Sequence, residues 1–334
     1  MQPRIAIIGA GISGLSCART LLEHQCHVEL FDKGFHTGGR VATRFASRTD
    51  SSFYFDHGAQ YFTVKTEAFK QQVDSWVKDG VAALWAGRVG KIQNGKLLQE
   101  HGAHERFVGT PYMRAVADHM ALPLSITTNC RVTRIRQLEK KWRLQFEVGD
   151  ESPGFDAVVI GIPPLQAANL LQEFSDLQTF CLASKMGACW STFVSFDSEI
   201  CLAFDGMFVD DSALSWVCRD SSKPLRPRGE RWVLHATPSW TVANIDVDPD
   251  EVASQLLKEF FRVTNASPVS STYKKSHRWL YAIPIETESP RSFQILPSDK
   301  LAVCGDWCHG GRVEGAFLSG REAAEALLQA FVIT

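Results

Sequence analysis

The sequence predicts an α/β protein in which one domain is interrupted by a second and later resumed, and three observations carry that expectation. An apolar strand runs into a glycine-punctuated turn and an alanine- and leucine-bearing helix at the start of the chain. The same strand–turn–helix order returns at its end, in KLAVCGDWCHGGRVEGAFLSGREAAEALLQAF. Between them lie mostly alternating, strand-like segments, the pattern of a sheet-based insertion.

Taken in order, residues 4–8 read as a buried strand, 12–24 as a helix and 27–31 as a second strand, a βαβ opening. TPYMRAVADHMA, residues 110–121, has helical spacing, with Thr110 as the expected N-cap and Pro111 at the first helical position. CRVTRIRQL and KWRLQFEV alternate like paired strands, and FDAVVIGIPP (155–164) reads as a buried strand stopped by prolines. STFVSFDS and RWVLHAT supply further strands, and 250–264 a helix capped by DPDE. KLAVCGDWC is a last buried strand and GAFLSGREAAEALLQAF a last helix.

The bulk numbers exclude several classes. At 334 residues the chain exceeds one small core and suits two domains. It is 45% hydrophobic and 22% charged, with net charge -2, as expected of a soluble globular protein. Without a basic block, no nucleic-acid partner is expected. No apolar run reaches the roughly 18 residues of a membrane span, so no membrane partner is expected either. Only Arg4 precedes the first apolar stretch, which argues against a secretory signal. The nine cysteines are odd in number and scattered, with Cys130, Cys189 and Cys304 in apolar runs, which suits reduced thiols and a cytoplasmic location. Cys304, Cys308 and His309 lack a second ligand pair, so no metal is expected.

Gly9-Ala10-Gly11-Ile12-Ser13-Gly14 fits G-x-G-x-x-G between a strand and a helix. The first glycine permits the tight turn, the second lets a pyrophosphate reach the backbone, and the third lets helix and strand pack closely. Free N–H groups and the helix dipole then meet the phosphates. Asp32 closes the second strand, where a carboxylate can accept from an adenosine ribose. Between NAD and FAD, the second glycine pair ending at Gly39, followed by Arg40, favours a cofactor that runs deeper into the protein. VCGDWCHGGRVEGA would anchor its far end, with Asp306 on a ribityl hydroxyl and the N–H groups around Arg312, Val313 and Glu314 facing a flavin.

GAGISGL, FDKG and GGR at the start and CGDW with GRVEGAFLSG at the end resemble the flavin amine oxidase superfamily. More narrowly, GGRVATRF, FDHGAQYF, ERFVGTP, HRWLYAIP and CGDWCHGGRVEGAFLSG resemble its renalase-like bacterial branch, across essentially the whole chain. The resemblance implies a glutathione-reductase-like, FAD-binding Rossmann domain with a second α+β substrate domain on an antiparallel sheet. On that basis 1–64, 105–164 and 296–334 form the FAD-binding domain, and 65–104 and 165–295 the substrate domain. It implies non-covalent FAD, oxidation of 2- or 6-dihydro isomers of NAD(P)H to NAD(P)+, and transfer of the electrons to dioxygen to give hydrogen peroxide.

Carried over by residue, Ser13, Asp32, Lys33, Arg40 and the Val132 backbone would touch FAD, as would Asp306 and Val313 at its flavin end. His57, Gly58, Ala59, Gln60 and Tyr61 would pass along the flavin face, with Arg106, Phe107, Val108 and Arg312 bordering the substrate. His235, Trp279 and Tyr281 are further candidate walls of the pocket. Hydride loss from a dihydropyridine needs positioning at about 3–3.5 Å more than a proton relay, so no catalytic acid or base is expected. YKKSHRWLYAIPIETESP contains no cysteine, which argues against a covalent flavin. The alternatives are an FAD-dependent amine or polyamine oxidase, and a non-catalytic flavin-binding redox sensor. The oligomeric state stays open.

Overall fold

The computed structural model describes residues 2–47, 49–93, 95–99, 104–286 and 291–333. Two sheets organise the chain. The first has six strands, in the order Phe293–Leu296, Leu301–Cys304, Ala157–Ile160, Arg4–Ile8, His27–Phe31 and Ser125–Thr127. All neighbours run parallel except the antiparallel edge strand Phe293–Leu296. The opening strand is apolar on both faces because both are covered. Ile5 and Ile7 pack among Leu15, Leu21 and Leu327, from the helices that follow the two glycine turns. Ala6 and Ile8 pack on the opposite side with Trp142, Phe155 and Leu171.

The opening helix, Ile12–Glu23, and the closing helix, Val313–Ile333, lie against each other closely enough to exclude a side chain. A Cβ on Gly320 would stand 2.0 Å from the Ser13 carbonyl oxygen. Ser16 Oγ donates to the Phe317 carbonyl at 2.8 Å. Chain ends some 300 residues apart therefore form one layer over the sheet.

The second sheet has seven strands, in the order Ser271–Glu286, Lys185–Phe196, Glu230–Ala236, Leu214–Arg219, Gly206–Val209, Val89–Gln93 and Lys96–Gln99. It is antiparallel apart from the Gly206–Val209/Val89–Gln93 pair. Strand alternation divides its central residues between two faces. Trp190, Val194, Trp232 and Leu234 pack with Val252, Leu256 and Phe260 of the helix Pro249–Thr264. Asp248 caps that helix, its Oδ1 accepting from the N–H groups of Asp250 and Glu251. Phe193 and Val233 face the other way, onto Phe55 and Phe53. This second face carries the candidate site.

CRVTRIRQL and KWRLQFEV form the expected antiparallel hairpin, Val132–Leu138 with Lys141–Phe146. The helix expected over 110–121 is shorter, Ala115–Ala121. Thr110 does not cap it: its N–H donates to the Val81 carbonyl and its Oγ1 to the Gly80 carbonyl. The Thr110–Pro111 bond is cis, and the Pro111 carbonyl accepts from Tyr54 and Arg226. Residues 110–114 are thus committed to neighbouring segments before the helix begins. Among the described residues no helix is long and apolar enough to cross a membrane.

Candidate active site

The three glycines of the opening turn divide the work as their spacing implies. Gly9 has φ +105°, and a Cβ there would meet the Gly161 oxygen at 2.7 Å. A Cβ on Gly14 would meet the Gly9 oxygen at 2.0 Å, so this glycine sets the helix–strand approach. A Cβ on Gly11 would meet nothing within 4 Å. The middle glycine therefore faces open space at a helix start that no side chain caps. Free N–H groups bordering open space suit a dinucleotide pyrophosphate. Gly39 comes up beside Gly11, where its Cβ would stand 3.4 Å from the Gly11 Cα. Ile12 and Ser13 are buried.

Asp32 accepts from the Ala10 N–H at 2.6 Å and the Gly34 N–H at 2.7 Å, one on each oxygen. Each oxygen keeps a lone pair for a ribose hydroxyl. Backbone bonds from Asn129 to Gly34 and from Cys130 to Asp32 bring the start of the hairpin, Val132, alongside. Lys33 lies at the surface, with Nζ donating to Gln166 at 3.2 Å.

Arg40 and Asp306, from the opening and closing motifs, form a two-pronged ion pair, with Nη1 to Oδ2 at 2.8 Å and a second bond from Nη2 to Oδ1. Arg40 Nη1 also donates to the Ala282 carbonyl, next to the half-buried Tyr281. The 57–61 segment leans on the same place. The Ala59 N–H donates to the Arg40 carbonyl at 2.9 Å, and a Cβ on Gly58 would stand 2.0 Å from that oxygen. Val313 opens the closing helix, with Arg312 exposed just before it.

On the sheet side of this segment the lining is aromatic, with imidazoles at the His57 end and the Arg106 guanidinium over Tyr61 at the other. The His57 ring lies 5.0 Å from His277 and 5.1 Å from Trp279, whose Nε1 donates to the His57 carbonyl. Tyr61 packs on Trp216 at 5.6 Å and Trp85 at 6.2 Å, with the Arg106 guanidinium over its ring. Phe107 stacks on Phe62. Val108 is wholly buried in the core. Burial, with the charges of His277 and Arg44 nearby, pulls the His57 imidazole down to about 3. Burial pulls His235 down to about 4, and burial with Arg44 also lowers His277. All three rings are neutral near pH 7.

Beneath this lining lies a buried charge cluster. Asp56 accepts from Arg226 at 2.5 Å and from Thr43 at 2.7 Å. Lys223 Nζ stands 2.6 Å from Asp220, 3.5 Å from Asp56 and 3.2 Å from Gln60 Oε1. Gln60 Nε2 donates to the Gly58 and Asp56 carbonyls, so both ends of this amide are held. Burial pushes the Asp56 carboxyl up, but Arg226 and Lys223 outweigh it and bring it down to about 2.

Sequence reasoning missed Ser191, Trp216, His277, Asp56, Asp220 and Lys223. His277 was within reach, because in a strand it shares a face with Trp279 two residues on. Asp56 directly precedes His57. Lys223 lies in a proline-rich loop that carries no periodic signal.

Residues 7–76 match the profile of the NAD(P)-binding Rossmann-like domain, and residues 78–328 that of the flavin containing amine oxidoreductases. Cyclohexylamine oxidase from Brevibacterium oxydans is 14% identical, with TM-score 0.78 over 99% of this chain and 100% of that one. Putrescine oxidase bound to putrescine is 11% identical, with TM-score 0.70 over 98% and 99% of the two chains. A protein from Exiguobacterium sp. 255-15, provisionally named a protoporphyrinogen oxidase, is 12% identical, with TM-score 0.80 over 98% and 99%. At such identities the likeness is one of fold.

These findings correct the expectation of an oxidase of dihydro-NAD(P) isomers, and of dihydronicotinamide dinucleotides as its partner. The profile covering most of the chain is that of amine oxidoreductases, and two of the relatives are amine oxidases by name. Together they back the alternative, an FAD-dependent amine or polyamine oxidase, better than the first reading.

Proposed function

The chain belongs to the family of flavin containing amine oxidoreductases, and from that premise we propose that it oxidises monoamines with non-covalently held FAD. Gly9 to Gly14 would hold the pyrophosphate, Asp32 the ribose and the start of the hairpin at Val132 the adenine. Arg40, Asp306 and the helix start at Val313 would hold the flavin end. When bound, FAD supplies the electron acceptor for the amine and passes the electrons to dioxygen.

The protein's own contribution is binding, orientation and the exclusion of water and charge. An amine gives up hydride from its α-carbon only with the nitrogen lone pair free, so the substrate must bind as the free base. The observation that carries the reading is the absence of an imidazolium or free carboxylate among these wall residues. His57, His235 and His277 are held neutral beside Trp279 and Trp216, and the one charge among them, the Arg106 guanidinium over Tyr61, repels a cation. Such a wall accepts a neutral amine and disfavours an ammonium ion. The carboxylates beneath it, Asp56 and Asp220, are occupied by Arg226 and Lys223. Neither is free to hold the second ammonium of a diamine, which favours monoamines over polyamines.

The net reaction is RR′CHNH2 + O2 + H2O → RR′C=O + NH3 + H2O2, an aldehyde from benzylamine and a ketone from cyclohexylamine. The test is to acid-precipitate the purified protein and identify the released flavin, then assay benzylamine and cyclohexylamine in air. FAD in the supernatant, with peroxide and ammonia formed in equal amounts, is the expected result. No turnover of either monoamine, or faster turnover of putrescine, would overturn the reading.

A further inference from the structure

Four side chains of the seven-stranded sheet stand in one row across it. His277 is opposite Ser191, Ser191 opposite His235, and His235 opposite Trp216. At a strand spacing of about 4.8 Å the row spans roughly 14 Å. Directly opposed residues share a face of the sheet. This face lies under the 57–61 segment, with His57 on His277 at one end and Tyr61 on Trp216 at the other.

Three polar atoms of the row, Ser191 Oγ, His235 Nε2 and Trp216 Nε1, are buried without a hydrogen-bond partner, as is His57 Nδ1 above it. Ser191 is fully buried and Trp216 only 6% exposed. Each such atom has given up its bond to water and gained nothing in return when nothing pairs with it. Three on consecutive strands is a poor way to fill a core and a good way to read a polar ligand.

The chemistry of the atoms is complementary. The Trp216 indole N–H can only donate. His235 Nε2 is the ring nitrogen left unpaired, and the assigned tautomer carries the proton on Nδ1, toward the His57 backbone. Nε2 is then a lone pair that can only accept. Burial keeps the ring in this neutral form, with its titration down at about 4.

We propose that Trp216, His235 and Ser191 form a subsite for a neutral group bearing a hydrogen-bond donor beside an acceptor, an amide or lactam, on the amine substrate. The ligand's carbonyl meets the Trp216 N–H, its N–H meets His235 Nε2, and Ser191 pairs with either. A carboxylate would face His235 with a second acceptor and bring an unpaired charge. A plain alkyl chain would leave all three atoms unpaired. The identity of the substrate as an amine rests on the monoamine oxidase reading; the subsite does not.

The test titrates the FAD-loaded protein with benzamide, acetophenone and benzoate, none of which is oxidised as an amine, and follows the visible flavin spectrum. Benzamide should bind about tenfold or more tightly than the other two, the effect of about one extra buried hydrogen bond. His235→Phe should bring benzamide down to the affinity of acetophenone. Trp216→Phe should weaken both, because each presents a carbonyl. Equal affinities of the unaltered protein for benzamide and acetophenone would overturn the inference, as would a benzamide preference that survives His235→Phe. Should His235→Phe lose its FAD, the unaltered protein and Trp216→Phe decide the matter, a Trp216→Phe that binds both unchanged being the contrary result. Benzamide selectivity without amine turnover would retain the subsite and overturn the oxidase reading. Amine turnover without benzamide selectivity would do the reverse.

Discussion

His57 and His235 have imidazoles that the fold holds uncharged, and this has a thermodynamic signature. Their folded values, about 3 and about 4, lie below the ordinary ~6.5 of an unfolded histidine. A depressed value means that the unfolded chain binds protons more readily, so stability is full above about pH 6.5 and falls as pH drops below it. The melting temperature should therefore decline between pH 7 and pH 5, before carboxylates titrate, and His57→Gln should flatten that decline. An unchanged midpoint across this interval would show that the rings are not held neutral. The charge cluster below them acts at lower pH. Asp56, brought down to about 2, contributes stability above the unfolded ~3.9 that is lost as pH falls through its folded value. Lys223 touches Asp220, Asp56 and Gln60 at once. Lys223→Met leaves Asp220 buried without its cation and should cost about 3–5 kcal/mol in denaturant unfolding. A loss under about 1 kcal/mol would mean that water or Arg226 takes over.

The opening turn separates two functions that the sequence motif joins. Gly11 has φ -76° and ψ 177°, an ordinary extended backbone, with open space where a side chain would go. Gly11→Val should fold as the stripped protein does, with the same melting temperature, yet purify without FAD. Gly14→Ala would set a methyl 2.0 Å from the Gly9 carbonyl. It should lose about 1–3 kcal/mol of stability as well as the cofactor. Stoichiometric FAD in Gly11→Val would show that the pyrophosphate lies elsewhere. The turns and their flanking elements were legible because their signals are local: a strand, glycines at fixed offsets and a helix lie within some thirty residues of chain. The 110–121 segment was misread for a nonlocal reason. Thr110 and Pro111 look like a helix start, but Gly80, Val81, Tyr54 and Arg226 claim their hydrogen-bonding groups.

Across the whole molecule, the opening and closing motifs meet through the Gly320–Ser13 approach, the Ser16–Phe317 hydrogen bond and the Arg40–Asp306 pair. Pairing of the two ends was legible, because each motif asks for the other. The candidate substrate face was legible only in fragments. His57, Gln60, Tyr61, His235 and Trp279 stand out as residue types, but the row from His277 to Trp216 exists only once strands far apart in sequence pair in register. Resemblance of motifs pointed to the superfamily correctly, while the substrate it implied is corrected by the comparisons, since the motifs describe how a flavin is held and say less about what is oxidised. The proposed reaction makes one demand of the whole assembly, that a free-base monoamine reduce the bound cofactor. The most direct measurement is rapid anaerobic mixing of the FAD-loaded protein with cyclohexylamine over a range of pH, followed by readmission of air. The flavin colour should bleach at a rate rising with pH as the free base accumulates, and return in air with release of peroxide. Colour that persists with cyclohexylamine and benzylamine at every pH, or that bleaches faster with putrescine, would contradict it.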